Sequence, residues 1–374
     1  MTDIHDLEIG APGPFLPPIE NAIRNAKTID SLGYDSMAFP DHFAGFIPES
    51  VWVPDVTPLS LLQQSPHTYY ELGTIMAACA SVTERVKLVS AVTEPIRRHP
   101  VLLAQTFLTL DHISNGRAVL GIGAGELENI EPYGLKFSGQ VGKLREALEI
   151  IQLVWKSHEP FNYDGKFWKL RDAVMSLRPL DPERPPPIWT AAMGPKMLRI
   201  TAEFGDGWIP TLLPPNEYAD RLNTIKKHRQ RLDKTGPFTA ALWNWCILDE
   251  DESVCDRLKQ SKIAKAFALL YPSNEWARLG YEHPFGKDFY SLTDYIPMRY
   301  DRETTLKAMD QVPKEILDDF YMSGGSEAII KMLEEYRRAG LTHMILWNAT
   351  GMFDLEHIRS SYKVLKEVLN YVKG

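Results

Sequence analysis

The chain has 374 residues, 44% of them hydrophobic and 24% charged, with a formal net charge of −8. That is the composition of an ordinary globular protein with length for a large core; with no stripe of Lys or Arg, nucleic acid is excluded as an expected partner. No apolar run approaches the ~18 residues that a membrane span needs, and Cys79, Cys246 and Cys255 show no CxxC spacing, so no disulfide framework or metal site is expected.

Met1-Thr2-Asp3-Ile4-His5-Asp6 lacks the basic start and apolar run of a signal peptide, and the expected compartment is the reducing cytoplasm. Leu7–Ala11 reads as a first strand. Ile19–Leu32 follows with helical spacing of Ile19, Ala22, Ile23, Ala26, Ile29 and Leu32, and Gly33 stops it. Ser36–Phe39 is a second strand, Tyr69–Ser81 an apolar helix and Val86–Val92 a β-rich strand. Pro100 starts a helix that Asn115-Gly116 ends. Arg117–Gly121 is a fourth strand, followed by the amphipathic helix Val141–Trp155. Further strands are expected at Ile188–Ala192, Gly207–Pro210, Phe238–Leu248 and His343–Trp347. Their helices are Pro195–Phe204, Pro215–Leu232, Ser326–Ala339 and Leu355–Tyr371.

Eight strands, each followed by helical material and with no doubled dinucleotide half, predict an α/β fold of the closed (β/α)₈ barrel type in a single domain spanning 1–374. Three long stretches interrupt the repeat, at 45–66, 160–187 and 270–313. Loops of that length are usually lids or binding elements. Their aromatics either pack on the barrel rim or line a pocket.

Two motifs carry chemistry. Phe39-Pro40-Asp41-His42-Phe43 and Gly121-Ile122-Gly123-Ala124-Gly125-Glu126 each follow a short apolar strand. Each therefore sets a titratable group at a strand's C-terminal end, where barrel enzymes do their chemistry. His42 titrates near neutral pH and can give and take a proton in one cycle; the alternative is a satisfied structural histidine. Asp41 either supports His42 or anchors the loop, since neighbouring strand residues point to opposite faces. Alternating glycines let a backbone approach a flat ligand, which makes Glu126 a ligand contact rather than a surface acid beside Glu128 and Glu131. Ala192-Met193-Gly194-Pro195 closes a strand and opens a helix; its free amides suit a phosphate, or it is a plain turn.

These stretches resemble the bacterial-luciferase-like superfamily, in its branch that uses the deazaflavin coenzyme F420. Asn129-Ile130-Glu131-Pro132-Tyr133-Gly134, Trp276-Ala277-Arg278, Tyr281-Glu282-His283-Pro284-Phe285-Gly286 and Ile296-Pro297 bring it nearest to the mycobacterial phthiodiolone and phenolphthiodiolone dimycocerosate ketoreductases. The resemblance covers almost the whole chain. It implies a (β/α)₈ barrel, usually a homodimer, with the deazaflavin at the C-terminal mouth. It implies a bulged strand with a non-proline cis peptide, here Ala91–Val92, under the central ring. His42 would be the acid/base at the substrate hydroxyl, and Glu126 would serve the ring's proton or the opposite end of the hydride transfer. Gly123 and Gly125 would approach the ring, and Ala192, Met193 and Gly194 would hold its phosphate. Related sugar-phosphate and alcohol dehydrogenases carry a tryptophan four positions after this histidine. Here the residue is Phe46, and an indole N–H donor is lost.

The expected function is hydride transfer between F420 and a carbonyl or secondary alcohol. The expected partner is a small-molecule substrate, with Phe46, Trp52 and Trp276 offered to it by the insertions. An FMN-dependent monooxygenase of the same superfamily is the rival enzyme, and a catalytically silent flavin-binding barrel the rival of another class.

Overall fold

The computed structural model describes residues 4–374, so the N-terminal reading at Met1–Asp3 lies outside the described residues. Eight parallel strands close into a ring: β1 (Glu8–Pro12), β2 (Ser36–Phe39), β3 (Lys87–Ser90), β4 (Ala118–Ile122), β5 (Ile188–Thr190), β6 (Gly207–Trp208), β7 (Thr239–Leu248) and β8 (His343–Asn348). Closure is visible in the register, where Gly10 of β1 faces both Ser36 of β2 and Ile345 of β8. Each strand is followed by a helix on the outside: α1 (Ile19–Ser31), α2 (Leu72–Ala80), α3 (Pro100–Ser114), α4 (Gln140–Lys156), α5 (Pro195–Phe204), α6 (Pro215–Arg231), α7 (Ser326–Arg338) and α8 (Ile358–Lys373). The eight strands are the eight that alternating apolar runs predict, and the chain is a TIM barrel.

Side chains pack on both sides of the strands. Ala38, Val89, Val119, Trp189, Ile209, Ala241 and Ile345 fill the inside. Outward residues such as Met37, Leu88, Leu120 and Leu242 pack against the helices. Burial of this apolar surface, worth about 25 cal/mol per Å², holds the barrel closed. At its foot, Glu8 Oε2 accepts from His343 Nδ1 at 2.7 Å, and His343 Nε2 meets Ser36 Oγ at 2.7 Å. This Ser–His–Glu chain looks like a hydrolase triad. It lies at the N-terminal ends of the strands with Ser36 and His343 fully buried, so it is structural.

The insertions contain structure that periodicity did not predict. The second holds an antiparallel hairpin, Phe161–Asp164 with Lys169–Ala173. Between β7 and α7 lie helices Glu252–Lys259, Lys262–Ala268, Ser273–Arg278, Ser291–Asp294, Arg302–Asp310 and Lys314–Phe320, and a short strand Met322–Gly324 beside the end of β7. These helices are too short and too polar for a periodic signal. They pack on the first insertion: Ile47, Val51, Trp52 and Val56 share one apolar cluster with Phe267, Tyr271, Trp276 and Phe320. Among the described residues, no helix is long and apolar enough to cross a membrane.

Candidate active site

All strands run the same way, so the segments that follow β2, β3, β4 and β5 converge at one mouth of the barrel. The segment after β3 is bulged. Val89 pairs with Val119, yet the next bridge is Thr93 to Ile122, so β3 carries one residue more than β4 over this stretch. Ser90 covers the irregularity. Its hydroxyl accepts from the Gly121 N–H and donates to the Gly121 carbonyl, both at 2.8 Å. The Ala91–Val92 peptide in the bulge is cis, as the resemblance implies. A Cβ on Gly123 would stand 3.0 Å from Val92 Cγ2, so that glycine faces the bulge. Gly125 adopts φ +95°, a left-handed conformation that favours glycine, and turns the chain toward Glu126.

His42 and Glu126 meet at this mouth, with 3.5 Å between His42 Nδ1 and Glu126 Oε2. The contact between them is organised by Asn129, a residue to which motif reading gave no role. Its Oδ1 accepts from the Phe43 N–H at 2.7 Å and the Ala44 N–H at 3.1 Å. That fixes which end of the amide is which. Its Nδ2 therefore donates to His42 Nδ1 at 2.8 Å and faces Glu126 Oε2 at 3.3 Å. A signal was present in the sequence. Glu126 precedes the 3₁₀ turn Leu127–Asn129, and residues three apart eclipse on such a turn.

Two consequences follow for His42. With Nδ1 accepting, the neutral ring carries its proton on Nε2, which has no protein partner among the described residues. Burial pushes the imidazole below its usual range, helped by Arg97 and opposed by Glu126 and Asp41. The ring is thus neutral at neutral pH. It is packed by Phe46 edge-on at 5.0 Å and by Tyr69 at 5.3 Å.

Asp41 does not reach His42. Its carboxylate accepts from Thr93 Oγ1 at 2.7 Å and pairs with Arg97 at 3.1 Å and Arg98. Arg97 in turn pairs with Glu94 at 2.6 Å. Asp41 therefore ties the loop after β2 to the loop after β3, which is the anchoring alternative rather than a catalytic contact. Glu128, to which the sequence reading gave no role, is 1% exposed. It lies behind Glu126, and ligand-capable atoms of His42, Glu126 and Glu128 all fall within 4.8 Å of one another.

Ala192 is buried, and Gly194 caps α5 with nothing within 4 Å of where a Cβ would stand. Arg221 of α6 approaches Met193, with Nη1 3.6 Å from Sδ. The turn thus has open space, free helix amides and a guanidinium beside it. Trp52 and Trp276 serve the insertions themselves. Trp52 donates its indole N–H to the Gln63 carbonyl at 2.7 Å, and Trp276, 1% exposed, packs edge-on against His283 at 4.9 Å. A surface cavity of about 350 Å³ opens at the opposite end, near the start of β7, among Lys226, Arg229 and Lys234.

Fold and site together give a (β/α)₈ barrel with His42, Glu126 and Glu128 gathered at the C-terminal mouth, where barrel enzymes carry their active sites. Residues 4–343 match the luciferase-like monooxygenase family, and the chain belongs to it. It is 31% identical over 340 residues to the phthiodiolone/phenolphthiodiolone dimycocerosates ketoreductase of Mycobacterium tuberculosis, covering 90% of this chain and 89% of that one. Among solved structures it resembles an F420-dependent secondary alcohol dehydrogenase in complex with an F420-acetone adduct, at TM-score 0.77 and 21% identity over 98% of this chain and 99% of the other. The oxygenating constituent of 3,6-diketocamphane monooxygenase from Pseudomonas putida, in complex with FMN, is similar at TM-score 0.66 and 18% identity over 98% of both chains.

Proposed function

We propose that this chain is an F420-dependent oxidoreductase that moves a hydride between the deazaflavin and an apolar ketone or secondary alcohol. The observation that carries the reading is His42, with Nδ1 held by Asn129 beside Glu126 and Nε2 without a protein partner among the described residues. The mouth fits such a cofactor: Gly123 and Val92 offer a side-chain-poor wall, and the Ala192–Gly194 turn with Arg221 suits a phosphate. The 31% identity to a ketoreductase supports carbonyl chemistry over oxygenation. Bound there, a deazaflavin supplies the hydride; the protein supplies orientation and the proton.

Ketone reduction develops negative charge on the substrate oxygen. A second proton on His42 goes to Nδ1, where Glu126 Oε2 replaces Asn129 Nδ2 as the partner and stabilises the imidazolium. The Nε2 proton then passes to the oxygen as the alcohol forms. In the reverse direction the neutral ring first moves its proton from Nε2 to Nδ1, where Glu126 Oε2 takes the place of Asn129 Nδ2 as its partner, and Nε2 then accepts the hydroxyl proton. General acid/base help of this kind is worth about 10²–10⁴-fold. Phe46 and Tyr69 around His42 leave the substrate an aromatic wall, which suits an apolar group. The test follows the coenzyme's visible absorbance against ketones, secondary alcohols and sugar phosphates. Turnover of apolar ketones or alcohols is expected, and a clear preference for glucose 6-phosphate contradicts the reading.

A further inference from the structure

Glu128 is a buried carboxyl that the mechanism above does not use. Its Oε1 faces Asn129 Nδ2 at 3.4 Å, and its Oε2 has no hydrogen-bond partner although it is fully buried. One of its carboxyl oxygens lies within 4.8 Å of a Glu126 oxygen, so the two acids face each other across the site. Two facing carboxylates cannot both ionise in a site shut off from water unless a cation is at hand. The groups that face Glu128 are Glu126 and His42 at the mouth, Tyr69 ahead of α2, Tyr133, Tyr295 from the third insertion, and Arg97. Only Arg97 is a permanent cation, and its pairs go to Asp41 and Glu94. Glu126 is 28% exposed on its side chain, so of the two acids it is the one water can help to ionise.

We propose that Glu128 is a positioning residue: it keeps its proton, donates it in a hydrogen bond to Glu126, and so holds Glu126 as a single anion aimed at His42. Burial, and then Glu126, push the Glu128 carboxyl well up, against a smaller opposing pull from Arg97. The role follows from charge. With Glu128 neutral, the pocket carries one negative charge, enough to receive the Nδ1 proton of a charged His42. With both acids ionised it would carry two, and proton release from His42 to substrate would be opposed.

This inference rests on the proposed role of His42 and Glu126, and its first test is independent of turnover. Infrared difference spectra of the apoprotein at neutral pH should contain a protonated-carboxyl band that shifts in D₂O. The band should persist in Glu126→Gln and vanish in Glu128→Gln. Absence of the band in the wild type, or its survival in Glu128→Gln, overturns the proposal. The second test is the pH profile of ketone reduction. Glu128→Gln keeps a neutral donor to Glu126, so its profile should overlay the wild type. Glu128→Leu removes the donor, and the profile should move by about one pH unit toward alkaline. A profile of Glu128→Gln displaced toward acid would mean that a charge had been removed, and overturns the proposal.

Discussion

Asn129 Nδ2 donates to His42 Nδ1 at 2.8 Å, while Asn129 Oδ1 accepts two backbone N–H groups from the loop that carries the histidine. One amide thus sets both the position of the ring and its tautomer. Asn129→Asp retains the acceptor and removes the donor. His42 should then move its proton to Nδ1, a change that ¹⁵N chemical shifts of the ring report directly. Asn129→Ala leaves two backbone donors without a partner and should cost about 1–3 kcal/mol in stability. Unchanged ring shifts in Asn129→Asp would contradict the assignment.

His42→Ala should abolish turnover and leave deazaflavin affinity within a few-fold, because Nε2 has no protein partner among the described residues and does not support the barrel. Burial lowers the imidazole pKa below 6.5. Ketone reduction needs the imidazolium, so its rate should fall as pH rises through that lowered value, and alcohol oxidation should show the opposite limb. A reduction rate still rising above pH 6.5 would contradict this.

Two glycines separate folding from binding. A Cβ on Gly121 would stand 1.8 Å from the Ser90 carbonyl oxygen, so Gly121→Ala should displace the bulge and cost about 3 kcal/mol. A Cβ on Gly194 meets nothing within 4 Å, so Gly194→Ala should melt like the wild type. If the Ala192–Gly194 turn holds a phosphate, the same change weakens cofactor binding. Equal affinity in Gly194→Ala removes that turn from the site.

Acid should loosen the molecule in two windows. Burial takes His283 down to about 4, against its bond to the Leu269 carbonyl. A histidine lowered in the folded state stabilises above its unfolded value of 6.5, and that contribution is lost as pH falls toward 4. Burial alone would raise Glu8, but His343 and Lys87 bring it to about 2. Its contribution is present above 4.5 and is lost as pH falls toward 2. Hydrogen exchange should therefore show the third insertion, around His283, losing protection at a higher pH than the foot of the barrel.

The barrel was legible in the sequence because each strand is a short apolar run and each helix has a 3.6-residue face. His42 and Glu126 were legible because each lies just beyond such a run. Asn129 and Glu128 were not. A buried acid looks like a surface acid in a polar stretch, and only the 3₁₀ turn after Glu126 folds both back onto the site. Asp41 stands next to His42 in sequence but faces Thr93, Arg97 and Arg98, contacts made across 52–57 residues that local pattern does not encode. Trp52 and Trp276 looked like pocket residues because their loops are long. Both are instead buried in one apolar cluster that joins the first insertion to the helices after β7, a long-range packing that loop length does not encode.

Cofactor identity is the measurement on which the account turns. Fluorescence-quenching titrations of the one protein with F420 and with FMN, side by side and in the absence of substrate, compare the two directly. The account predicts tighter binding of F420 than of FMN, with F420 affinity reduced in Gly194→Ala and preserved in His42→Ala. Much tighter binding of FMN would contradict it.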